Sequence, residues 1–85
     1  MTIKLKEHRI DVSAIYRYSP NYWTDDNKRQ VGSLNLHFKS GESLTISYNN
    51  ASEIEAIVEY LDEYASVKNL RFVSETEVKS RLIVE

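Results

Sequence analysis

Two histidines, His8 and His37, are the only imidazoles in the 85-residue chain. An imidazole does general acid–base work only when a partner within hydrogen-bond reach orients it. The two lie most of two strands apart, and neither has a neighbour spaced as a triad or a metal motif. His37 sits among Ser, Thr and Asn and reads as a hydrogen-bonded surface histidine. Asp25-Asp26-Asn27 supplies hard oxygen ligands but lacks the alternate spacing and the glycine of a calcium loop. Glu55, Glu59 and Glu63 share a helix face at four-residue spacing. Without a paired histidine or a facing helix, that row does not make a metal site. The chain has no cysteine, so thiol nucleophiles, thiolate metal sites and disulfides are excluded. The expectation is no catalytic residue, no cofactor and no metal, and a protein that is not an enzyme.

Binding chemistry is better represented. Residues 19–30, Ser-Pro-Asn-Tyr-Trp-Thr-Asp-Asp-Asn-Lys-Arg-Gln, read as a long polar connection carrying Tyr22 and the only tryptophan, Trp23. Long connections in small domains are often functional, and Tyr, Trp and Arg dominate interface energetics. Arg17, Tyr22, Trp23, Lys28 and Arg29 lie close together in sequence and form a candidate partner-binding set. The two rings can equally fold back and plug one end of the core. Rings interleaved with bases are also the pattern of a platform that stacks single-stranded nucleic acid, which is the alternative reading. Asp25 and Asp26 in the same segment and a pI near 5.7 weigh against it, because such proteins usually carry a clear basic footprint.

A second binding surface follows from strand parity. Ser13, Ser33, Asn35, His37, Ser43, Thr45 and Ser47 share the polar side of their strands, and a fully solvated face normally holds more Lys and Glu. Ile15 falls on the same side. Something therefore covers part of this face: the chain's own tail through Val78, Leu82 and Val84, or a second copy or partner packed sheet to sheet. Asn35 and His37 thus join the partner-binding set.

The elements that would position these residues are legible from periodicity. Leu34, Leu36 and Phe38 alternate with Asn35, His37 and Lys39. After Ser40-Gly41, Leu44, Ile46 and Tyr48 alternate with Thr45 and Ser47, which predicts a β-hairpin. A helix over 52–66 follows, with Ser52 as N-cap and Glu55 completing a capping box. Its stripe of Ile54, Ile57, Val58, Leu61 and Ala65 needs a sheet to cover. Ile10, Val12, Ala14, Tyr16 and Tyr18 share one parity and predict a strand that Pro20 ends near Ser19. Thr2 to Lys6 predicts a short edge strand blunted by Lys4 and Lys6. Leu70 to Val73 reads as extended, and residues 75–84 fit a short helix or a strand.

The predicted architecture is a single α+β domain: a four-stranded antiparallel meander covered on one face by the helix, with a C-terminal element beside it. Strongly curved, such a sheet becomes a PH-like partial barrel, an analogy of fold that carries no function. The expected core is Ile10, Val12, Tyr16, Leu34, Leu36, Phe38, Leu44, Ile46, Ile54, Ile57, Val58 and Leu61. Composition agrees with a globular domain, with 41% hydrophobic and 28% charged residues. No apolar run approaches the ~20 residues of a membrane helix. The N-terminus lacks the apolar core of a signal peptide, so a cytoplasmic protein is expected and the Asn50-Ala51-Ser52 sequon serves helix entry. Residues 40–66 hold six acidic groups and no base, most of them on the outer side of the helix. The functional expectation is a small interaction domain that binds a partner protein or itself through the 19–30 segment and the polar sheet face.

Overall fold

A computed structural model describes residues 1–73. The elements run β1 (Thr2–Leu5), β2 (His8–Asp11), a short 3-10 turn (Val12–Ala14), β3 (Ile15–Thr24), β4 (Gln30–Phe38), β5 (Ser43–Tyr48), α1 (Ala51–Lys68) and β6 (Arg71–Phe72). Two sheets result: an antiparallel hairpin of β1 and β2, and a four-stranded sheet in the order β5-β4-β3-β6. The α+β class is as the sequence predicts. The antiparallel meander holds for β3, β4 and β5, but β6 runs parallel to β3, so the sheet is mixed, and among the described residues β1 pairs with β2 alone. Among the described residues the four-stranded sheet ends at β5 and β6 and does not close into the PH-like barrel. Residues 75–84, for which helix and strand both remained open, lie outside the described residues.

The largest departure from simple alternation is between Asp11 and Arg17. Asp11 Oδ1 accepts hydrogen bonds from the Ser13 amide (3.1 Å) and hydroxyl (2.7 Å). This local side-chain bond competes with extended pairing and tips the chain into the 3-10 turn. The expected single strand over 10–19 is therefore broken in two. A bulge between Ile15 and Arg17 then resets the parity. Ile15, expected on the polar side, is fully buried, and Tyr16, expected in the core, is 47% exposed. Tyr18 keeps its place and is fully buried.

Pro20 does not end β3. It is buried and stands opposite Leu34 within the strand. The Val73 amide donates to the Tyr18 carbonyl (3.1 Å), so the backbone groups of residue 18 face away from β4. Residue 20 has the same orientation, and its missing N–H costs no ladder bond. The strand runs on to Thr24, and Asp25–Arg29 turns it back. The Asp25 amide donates to the Arg29 carbonyl (3.0 Å), the Arg29 amide donates to Asp25 Oδ1 (2.8 Å), and the Asp25 carbonyl accepts from the Lys28 amide (3.0 Å), with Lys28 in a left-handed φ of 62°. The polar 19–30 connection is thus the far end of a long hairpin, not a loop. At the other end of β4, Gly41 (φ 95°) performs the same left-handed step between Phe38 and Glu42.

The core joins the inward faces of the sheet and the β1–β2 hairpin to α1. Leu34, Leu36, Ile46, Ile54, Val58 and Leu61 are buried as expected, with Phe38, Leu44 and Ile57 packed at the margin. Burying each large aliphatic side chain stabilises the fold by ~1.5–3 kcal/mol. Helix α1 starts one residue earlier than expected, with Asn50, not Ser52, as N-cap. Asn50 Oδ1 accepts from the Ser52 amide (3.0 Å) and hydroxyl (2.8 Å). Asn is as good a cap as Ser, and here its extended backbone (φ −142°) places the carbonyl correctly. Asn69 closes the helix in the left-handed conformation after Lys68, a base suited to that end. The Tyr18 hydroxyl donates to Asp62 Oδ1 at 2.6 Å and so ties β3 to the helix.

Candidate functional site

Pairing register assigns each side chain of β3, β4 and β5 to a face. Ser19 stands opposite Asn35, Asn21 opposite Ser33 and Trp23 opposite Val31. On the other flank, Asn35 faces Thr45 and Ser33 faces Ser47. These residues form the side of the sheet away from α1. Leu34, Leu36, Ile46 and Tyr48 form the side toward it. On the outward parity of these three strands there is neither Asp nor Glu.

Four of the expected binding residues, Arg17, Trp23, Asn35 and His37, share this outer face. Arg17 and His37 are direct cross-strand partners at one end. Burial lowers the His37 pKa, with a smaller contribution in the same direction from the Arg17 charge, so the imidazole favours its neutral form. Arg71 stands beside Arg17 and donates through Nη1 to the Tyr16 hydroxyl at 3.3 Å. In the middle, the Thr45 hydroxyl donates to Asn35 Oδ1 at 2.7 Å. At the far end Trp23 is 45% exposed. It is not part of the core cluster, so the core-plug alternative does not describe it.

The other three are placed differently. Tyr22, next to Trp23 in β3, falls by strand alternation on the opposite, helix side, facing Gly32. Burial, with the Glu55 charge second, raises its pKa. Lys28 and Arg29 lie in the turn. Arg29 Nε contacts Asp25 Oδ2 at 3.2 Å, and the Arg29 amide bond followed by the Asn27 amide holds Asp25 below the ordinary carboxylate range. The expected seven-residue patch is therefore an outer face, one tyrosine behind it and a structured turn.

Gly32 is what lets Tyr22's strand and the helix approach. A Cβ there would stand 2.3 Å from the Asn21 carbonyl oxygen and 2.8 Å from Ile54 Cδ1. Val31 and Val73 are buried residues outside the main core cluster that periodicity did not single out, and Ser33, expected on the polar side, is buried as well.

Two other places were tested for chemistry. An open hollow of about 490 Å³ at the base of the β1–β2 hairpin is lined by Glu7, His8, Asp11 and Glu42, among others. Among the described residues no group of three or more His, Cys, Asp or Glu side chains is arranged to hold a metal ion. Beside β1, the Lys6 ammonium lies over the Tyr48 ring, 4.9 Å from its centroid. Among the described residues no helix is long and apolar enough to cross a membrane. No protein-family model, curated protein or solved structure matches the chain.

Proposed function

We propose that the protein is a small non-enzymatic interaction domain whose outer sheet face, centred on the β3–β4 hairpin, binds another protein. One observation carries this reading: the only tryptophan is 45% exposed on a paired strand, among small uncharged neighbours, on a face where β3, β4 and β5 place no acidic group. A large ring held by strand pairing loses little conformational freedom on binding, which is the property of an interface anchor. Arg17 and Arg71 at the other end favour a partner whose patch is uncharged opposite Trp23 and acidic opposite the two guanidiniums. The single-stranded nucleic-acid reading has less support. Arg29 is engaged by Asp25, and Tyr22 and Trp23 point to opposite faces and cannot stack successive bases as one platform.

The test is Trp23→Ala. The variant keeps its fold, since Trp23 lies outside the core cluster, and loses at least roughly tenfold in partner affinity, the usual effect of truncating an anchor. A variant that melts instead makes Trp23 a structural residue and removes the basis of the reading.

A further inference from the structure

Edges of sheets present unpaired backbone groups, and proteins usually blunt them with lysine, proline or other charges. Most described edges here are blunted: β1 carries Lys4, β2 carries Arg9 and Asp11, the far side of β3 carries Pro20, and β6 is only two residues long. Strand β5 is the exception. Its sequence, Ser-Leu-Thr-Ile-Ser-Tyr, has no charge and no proline.

The orientation of its backbone follows from two hydrogen bonds. The Phe38 amide donates to the Glu42 carbonyl at 2.9 Å, so residue 42 and, by alternation, 44, 46 and 48 turn their backbone groups to β4. The N–H and C=O of Ser43, Thr45 and Ser47 therefore point to the open edge. Among the described residues no backbone hydrogen bond engages them.

We propose that this edge is a self-association site, at which β5 pairs antiparallel with β5 of a second copy across a two-fold axis through Thr45. Residues 43–47 read Ser-Leu-Thr-Ile-Ser, nearly the same in both directions. With Thr45 opposite its own copy, Ser43 meets the other Ser47 and Leu44 meets the other Ile46. Each residue with outward backbone groups then faces another such residue, so all of these groups find partners in one register. Leu44, only partly buried in one chain, gains an aliphatic neighbour. Glu42 falls opposite Tyr48, so no like charges meet. The two four-stranded sheets become one continuous sheet, and the pairing uses the β5 edge without engaging Trp23. This inference is therefore independent of the outer-face reading.

The absence of cysteine supplies a direct test. In the proposed register two Thr45→Cys residues face each other with Cα atoms about 5.5 Å apart, within disulfide range. Two Ser43→Cys residues lie about 13 Å apart, four residues of strand out of register. Under mild oxidation Thr45→Cys forms a covalent dimer at least roughly tenfold faster than Ser43→Cys. Light scattering finds a dimer for the wild type and a monomer for Thr45→Pro, whose lost N–H serves no bond to β4. Thr45→Lys, which sets two ammonium groups across the axis, gives the same result if the proline variant fails to fold. A wild type that stays monomeric at high concentration, or equal oxidation rates for the two cysteine variants, overturns the proposal. A dimer that survives Thr45→Lys but dissociates in Trp23→Ala overturns it too and assigns self-association to the outer face.

Discussion

Replacing Gly32 with alanine adds one methyl group, and the structure leaves no space for it. The new Cβ would sit 2.3 Å from the Asn21 carbonyl oxygen and 2.8 Å from Ile54 Cδ1. Ordinary contact requires the carbonyl to retreat by about 1 Å. That carbonyl belongs to β3, whose Asn21 is paired with Ser33 of β4, so retreat strains the hairpin that holds Trp23. Ile54 is fully buried and has little room to turn. Overpacking of this kind costs ~1–3 kcal/mol, and weakening a ladder bond adds about 1 kcal/mol. The lower chain entropy of unfolded alanine returns ~0.4–1 kcal/mol. The net expectation is a loss of about 2–3 kcal/mol, or roughly 10–20 °C in Tm for a domain of this size. Thermal and urea unfolding followed by circular dichroism reads both quantities. A Gly32→Ala variant melting within about 2 °C of the wild type would refute the close packing of β4 against β3 and α1 at Gly32.

Two further substitutions probe other links. Tyr18→Phe removes the hydroxyl that donates to Asp62 at 2.6 Å and lowers stability by about 1–2 kcal/mol, the carboxylate being open to solvent. Burial first and the Asp62 bond second push the Tyr18 pKa well above its ordinary 10.0. Its stabilising contribution is therefore complete below pH 10 and declines as pH rises further, so wild type and Tyr18→Phe converge in stability in alkaline urea titrations. Persistence of the full difference there would contradict the assignment. Lys28→Gly relieves the left-handed backbone at φ 62° and raises stability by about 0.5–1 kcal/mol, whereas Lys28→Ala does not; equal melting of the two variants would contradict it.

The parts of the fold governed by period-two and period-3.6 patterning were readable in advance. The 34–48 hairpin and the stripe of α1 rest on side chains that alternate cleanly, and the structure keeps them. Misreadings cluster where a short polar side chain bonds the local backbone. Asp11 caps the Ser13 amide and breaks the expected 10–19 strand, which moved Tyr16 out and Ile15 in. Asn50 displaced Ser52 as N-cap by the same kind of bond. Pro20 reads in the sequence as a terminator, because sequence does not say which way its missing N–H points. Extending β3 past it turned the supposed loop into paired strand and separated Tyr22 from Trp23. The residue types of the candidate set were therefore visible in the sequence, while their division between two faces depends on β3 running past Pro20.

The most direct test of the central claim is photo-crosslinking from two positions in cells that make the protein. A photoreactive side chain at Asn21, exposed on the outer face beside Trp23, is compared with one at Glu59, exposed on the helix. The account predicts a discrete adduct with another protein from position 21, lost on Trp23→Ala, and none from position 59. Adducts of equal yield from both positions, or an Asn21 adduct indifferent to Trp23, would contradict it.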